Sequence, residues 1–218
     1  MLHAAGCGPG PTRPSFPRGP AVGDRRKRKG IGIVAFEPFV PAEIFFTKGV
    51  GRHAKRLQSF ELALRAAGIE RFNLVKVSSI FPPGCKVIRK KRGIGRIAPG
   101  QITYCVLAET ATDEPSRLVG AGIGLAVPAD GKQYGYIAEH HCYGMTERKL
   151  SDLVEDMAAT VLATTLGIEF DPEIDYDERK EIYNMSGKIV NTRACVQTAE
   201  GDKNGLWTTV VAAAVFVS

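Results

Sequence analysis

Residues 206–217 contain no charged side chain, and most of them are Val, Ala or Phe. A strand of that composition has no face to offer to water, so it must lie inside a sheet that is covered on both sides. The rest of the chain has to supply both covers.

Other segments read as strands and helices in hairpin order. Short strands fit residues 32–36 and 43–48, separated by Pro38 and Pro41. From residue 53 to 67 the period becomes helical, with Leu57, Phe60, Leu64 and Ala67 on one stripe and Gly68 as the stop. A buried strand is expected over 72–77, whereas the Lys-, Arg- and Gly-rich stretch 85–98 resists assignment. Pro99-Gly100 opens a strand over 101–109, and 117–127 is a glycine-studded apolar run packed closely on a neighbour. Ala129-Asp130-Gly131 turns the chain into a strand over 134–140. Thr146 then caps the clearest helix, with Leu150, Leu153, Val154, Met157, Val161, Leu162 and Thr165 inward and Gly167 at its end. An irregular acidic stretch, 171–181, precedes a strand over 188–198. Hairpin-linked strands with two substantial helices make the class α+β.

The glycines do not make a nucleotide site. Gly120, Gly122 and Gly124 lack the Gly-x-Gly-x-x-Gly spacing and lie within a strand, and no Gly-Lys-Ser/Thr follows Gly49-Val50-Gly51.

The net charge of +6 suggests a nucleic-acid binder until it is located. Residues 1–30 carry seven basic side chains against Asp24, a surplus equal to that of the whole chain; residues 31–218 hold 22 basic and 22 acidic groups. The folded part therefore offers no electrostatic case for nucleic acid. Rich in Pro and Gly, with no apolar run long enough for a signal core or a membrane helix, residues 1–30 read as a disordered basic tail on a single domain, 31–218. Five scattered cysteines without a Cys-x-x-Cys pair point to a reduced, cytoplasmic compartment. His140, His141 and Cys142 are consecutive, and in a strand they would alternate between faces, so no metal is expected there.

Ser78-Ser79 stands where the strand 72–77 meets Pro82-Pro83, which cannot extend it because proline lacks the backbone donor. The pair sits at a forced corner. Two readings of it stand side by side: an ordinary turn, or a peptide bond that Ser79 attacks through its hydroxyl. The resulting ester would eliminate to dehydroalanine and hydrolyse, leaving a pyruvoyl group at position 79.

Three blocks in order favour the second reading through the resemblance they carry: Asn73-Leu74-Val75-Lys76-Val77-Ser78-Ser79-Ile80-Phe81-Pro82-Pro83, Gly124-Leu125-Ala126-Val127-Pro128, and Gly135-Tyr136-Ile137-Ala138-Glu139. Over residues 46–216 the chain resembles the pyruvoyl-dependent arginine decarboxylase family. The resemblance implies a layered αββα sandwich assembled as a trimer or a dimer of trimers, with active sites between subunits. It implies cleavage between Ser78 and Ser79, and a covalent pyruvoyl group derived from Ser79 that takes the substrate amine as a Schiff base and needs no dissociable cofactor. The product from L-arginine would be agmatine, with release of carbon dioxide. Family members place a carboxylate where this chain has Glu139, which becomes the proton donor to the α-carbon; partial desolvation by Tyr136 to Ala138 would keep it protonated. Resemblance likewise makes Asn73 an active-site hydrogen-bonding residue that holds the substrate or the backbone geometry needed for cleavage, although an Asn after a turn is common without function. Glu61 stands where archaeal members carry an aspartate that meets the guanidinium, and it also stands four residues before Arg65 as an ordinary helix ion pair. Same-fold decarboxylation of another amino acid, histidine foremost, and a non-catalytic basic-tailed binding protein are the alternatives.

Overall fold

The computed structural model describes residues 39–217 apart from 170, 172 and 175; the basic tail and the strand expected over 32–36 lie outside the described residues. Among the described residues nine strands and four helices follow one another: β1 (Glu43–His53), α1 (Arg56–Ala67), β2 (Asn73–Lys76), β3 (Ile80–Phe81), β4 (Lys86–Val87), α2 (Lys90–Ile94), β5 (Ile102–Thr112), β6 (Leu118–Pro128), β7 (Gly135–Tyr143), α3 (Glu147–Thr165), α4 (Tyr176–Met185), β8 (Ile189–Glu200) and β9 (Trp207–Val217). They form two sheets, one in the order β2-β5-β9-β1-β4 and the other β3-β7-β6-β8.

The apolar run is the middle strand of the first sheet, antiparallel to β1 on one side and β5 on the other. Its alternate residues feed two cores. Val210, Ala212, Ala214 and Phe216 meet Val119, Ala121, Ile123 and Leu125 of β6 between the sheets. Val211, Ala213, Val215 and Val217 meet Ala63, Leu64 and Ala67 of α1 on the outer face. On the outer face of the second sheet α3 packs Leu150 and Val154 against Val196 and Cys142, and Ala158, Ala159, Leu162 and Ala163 around Ala126 and Ile189. The layers are thus helix, sheet, sheet, helix, the αββα sandwich.

Both helices lie closer to their sheets than the apolar stripes suggested, and glycine is the reason. A Cβ on Gly51 would stand 2.1 Å from the Ser59 carbonyl oxygen, and one on Gly124 1.8 Å from that of Val154. Contact with bare strand backbone selects small helix residues, so α1 buries Ser59, Ala63, Leu64 and Ala67, while Leu57 is 77 % exposed. By the same logic the buried face of α3 is rich in alanine and Val161 points outward. Thr146 caps α3 as expected, its hydroxyl accepting from the Lys149 N–H. Two expectations need correction. The strand expected to be buried over 72–77 is an edge strand, exposed beyond Phe72 and Leu74, and much of the acidic stretch 171–181 belongs to α4.

Candidate active site

β2 ends one edge of the first sheet and β3 one edge of the second, so residues 77–79 carry the chain from one sheet to the other. Both ends of this crossing are pinned. The Val77 N–H donates to the Cys105 carbonyl at 3.0 Å, continuing the parallel ladder with β5, and the Ile137 N–H donates to the Ser79 carbonyl at 2.7 Å. Ser78 stands between the two anchors, exposed, and Ser79 is half-buried. Pro82 and Pro83 end β3 after two residues, which keeps the corner short.

The β3–β7 register fixes what Ser79 faces. Ile80 opposes Tyr136 and Phe81 opposes Gly135, so with the Ile137 hydrogen bond Ser79 falls opposite Ile137. Glu139 is two residues further along β7, on the same face as Ile137 and hence as Ser79, a diagonal neighbour at about 7–8 Å in sheet geometry. It stands within β7, not at its end, and is exposed in the single chain. The electrostatics agree with this placement: the buried Cys105 thiol is raised to about 11, mainly by burial, with Lys76 opposing and the Glu139 carboxylate adding to the rise.

One chain does not gather the other expected residues. Asn73 begins β2, its amide donating to the Gly100 carbonyl at 2.6 Å. The extended strand puts it about 13 Å from Val77, before the corner is reached. Glu61 lies on α1 in the outer layer, paired with Arg65 at 3.3 Å. Among the described residues no group of three His, Cys, Asp or Glu side chains could hold a metal ion, and no helix is long and apolar enough to cross a membrane.

The corner suits a chain-derived carbonyl group. A break after Ser78 would leave its carboxyl side in the first sheet and residue 79 in the second, each on its own anchor. The amino-terminal piece would stay bound through β1, paired with β9 from Glu43↔Val217 to His53↔Trp207.

Reading the sequence missed the surroundings of Glu139. A cavity of about 540 Å³, lined among others by Glu109, Phe60 and His141, which is two residues along β7 from Glu139, opens where β5 beyond Cys105 has no strand on the β2 side. The one available signal was Glu109 itself, the single charged residue in β5.

Comparisons with known proteins agree with this geometry. A family model described as pyruvoyl-dependent arginine decarboxylase matches residues 43–218. A "Probable pyruvoyl-dependent arginine decarboxylase" of Chloroherpeton thalassium is 59 % identical over 179 residues, covering 82 % of this chain and 98 % of that protein. A "Pyruvoyl-dependent arginine decarboxylase" of Methanococcoides burtonii is 54 % identical over 178 residues, covering 82 % and 99 %. With its serine corner between two sheets and a family match that runs from β1 through β9, this chain belongs to the pyruvoyl-dependent arginine decarboxylase family.

Proposed function

We propose that the chain cleaves itself between Ser78 and Ser79 and then decarboxylates L-arginine to agmatine and carbon dioxide. The observation that carries this reading is the Ser78–Ser79 bond held between two sheets, with Glu139 on the same face of the strand that anchors Ser79. Ser79 Oγ attacks the Ser78 carbonyl carbon, its own nitrogen departs from that carbon as an amine, and an ester joins the two residues. Elimination frees the Ser78 carboxylate and leaves dehydroalanine at position 79; hydrolysis releases ammonia and leaves a ketone. The covalent pyruvoyl group so formed supplies an electron sink for the pair left on an α-carbon when carbon dioxide leaves. Glu139 delivers a proton to that carbon. The names of the related proteins favour arginine over histidine and an enzyme over a binding protein.

The site is completed between subunits of a trimer. Asn73, Val75 and Val77 share the strand face that looks toward the second sheet with Ile102 and Tyr104, yet that sheet does not reach them: Ile102 is 62 % exposed and Val75 39 %. Phe39 stands against Tyr104, at 5.6 Å between ring centres. A neighbouring subunit over this strip would bury it, desolvate Glu139 and bring a second copy of Asn73 or Glu61 to the corner. The free thiols of Cys85, Cys105, Cys142 and Cys195 suit a cytoplasmic enzyme.

Intact mass under denaturing conditions tests the reading. Two fragments, 1–78 and 79–218, are expected, the larger blocked at its amino terminus and reactive toward hydrazines. Ser79→Ala should abolish both cleavage and release of carbon dioxide from arginine. An uncleaved chain that decarboxylates arginine would overturn the mechanism.

A further inference from the structure

Two bond-breaking events at the serine corner place negative charge on the same atom, the Ser79 carbonyl oxygen. The first is the elimination that opens the ester. Water takes the proton from the Ser79 α-carbon, and the pair left behind spreads onto the adjoining carbonyl oxygen. That pair then closes the α–β double bond as the Ser78 carboxylate departs with the electrons of the broken Cβ–O bond. The second event is decarboxylation, and it involves the same carbon, because the ketone carbon is the former Ser79 α-carbon. The pair released with carbon dioxide passes through the condensed substrate nitrogen and that carbon to the Ser79 carbonyl oxygen. It returns when Glu139 protonates the substrate α-carbon. A hydrogen-bond donor already aimed at this oxygen lowers both barriers.

The chain supplies such a donor. The Ile137 N–H reaches the Ser79 carbonyl oxygen at 2.7 Å, the short end of the N–H···O range. It cannot turn away. β7 is held on its other side by β6, where Leu125 opposes Ile137, and the Ile137 side chain is fully buried in the core between the sheets with Phe81. A fixed donor in a dry setting needs no reorganisation when charge arrives, and its bond strengthens as the oxygen becomes negative. Cleavage leaves this bond intact, because residue 79 loses its nitrogen as ammonia and keeps its carbonyl oxygen. The geometry points to the Ile137 N–H as an oxyanion donor that serves both self-cleavage and decarboxylation. This assignment rests on the pyruvoyl reading above and adds to it a main-chain catalytic group on β7, separate from the Glu139 carboxylate two residues along.

Replacing Ile137 by the α-hydroxy acid of the same side chain tests this role, because the backbone ester so formed removes the N–H and keeps the side chain. Ala138, opposite Gly124 of β6, receives the same replacement as the control for a lost ladder bond, since successive N–H groups of a strand point to opposite edges. In the Ile137 variant the elimination should slow, so that uncleaved chain accumulates as the ester between Ser78 and Ser79. Hydroxylamine in denaturant cuts esters and spares amides. It also opens the introduced ester, so the diagnostic product is the fragment 79–136 with a free amino-terminal serine. Subunits that complete cleavage should decarboxylate arginine about 10²–10³-fold more slowly per hydrazine-reactive group, the range for one lost oxyanion donor, with KM changed far less. The Ala138 variant should show neither effect. Equal behaviour of the two variants would overturn the assignment, and so would a defect confined to one of the two reactions. Should the esters fail to fold, deuterium exchange at the Ile137 N–H in chains with an all-amide backbone gives the answer. Slow exchange in both the uncleaved Ser79→Ala chain and the processed wild type supports the assignment, and fast exchange in either overturns it. A wild-type chain that is never cleaved sinks the pyruvoyl reading and this assignment together, whereas a cleaved, active wild type with an indifferent Ile137 ester sinks the assignment alone.

Discussion

Ile137 holds Ser79 to the second sheet through a 2.7 Å hydrogen bond from its N–H to the serine carbonyl, while the residue two before Ser79 is bonded to the first. Everything proposed for this chain turns on that division. The bond to be cut spans two separately anchored strands, and the strand that keeps residue 79 also carries Glu139.

Cleavage should therefore nick the protein without dismantling it. The fragment 1–78 contributes β1, whose ladder with β9 runs the full length of both strands, together with α1 and β2. Native mass spectrometry should find the two fragments together, and denaturant should be needed to part them. Spontaneous loss of the smaller fragment in native buffer would count against the anchoring described.

Replacing Gly124 probes how closely α3 lies on the second sheet. A methyl group there would overlap the Val154 backbone, which cannot rotate aside as a side chain can. Gly124→Ala should cost about 1–3 kcal/mol, the usual range for overpacking, read as a lowered unfolding midpoint. Gly131→Ala, where a Cβ meets nothing within 4 Å, serves as the control and should leave the midpoint nearly unchanged.

Cys105 gives the fold a pH dependence of known sign. Its thiol is raised from 9.0 to about 11, first by burial. The unfolded chain then loses this proton at lower pH than the folded one, so stability is full below pH 9 and falls as pH rises from 9 toward 11. Cys105→Ala should lessen, without abolishing, the loss of stability between pH 8 and pH 10.5 followed by denaturant unfolding, because burial raises the Cys85 thiol to about 11 as well.

Much of this architecture is legible in the sequence, for reasons that differ between elements. β9 declares itself because a strand buried on both faces tolerates no charge, and α3 because Thr146 and Gly167 bracket it. The faces of the helices are less legible. Leu57 fits the stripe of α1, but a helix lying on Gly49 and Gly51 buries small residues instead, and that choice depends on a strand that pattern alone does not pair with the helix. Ser79 and Glu139 are found through resemblance, since sixty residues separate them and only the β3–β7 register brings them together. The cavity lined by Phe60, Glu109 and His141 escapes because it is built by four elements distant in sequence, α1, β5, β7 and β9.

The basic tail should be dispensable for catalysis. Residues 1–30 account for the whole net charge. Deleting them should leave cleavage and arginine decarboxylation intact, and should remove any nucleic-acid affinity along with its steep salt dependence. A truncated chain that still cleaves but no longer turns over arginine would assign the tail a role in the site.

Glu139 separates the two reactions proposed for this corner. Ser79 supplies the nucleophile for cleavage from its own hydroxyl, and the anchors at Cys105 and Ile137 are backbone groups that a change at Glu139 does not touch. Glu139→Gln keeps the size and hydrogen-bonding capacity of the side chain but has no carboxylic proton to give. It should cleave after Ser78 at a normal extent, react with hydrazines like the wild type, and lose turnover by about 10²–10⁴-fold, the range for a missing general acid. Processing by mass and turnover by released carbon dioxide, taken from the same sample, give both answers at once. If the protein is cleaved and turns over normally, the proton comes from another group on the same strand, with His141, two residues along and on the same face, the first to be replaced next.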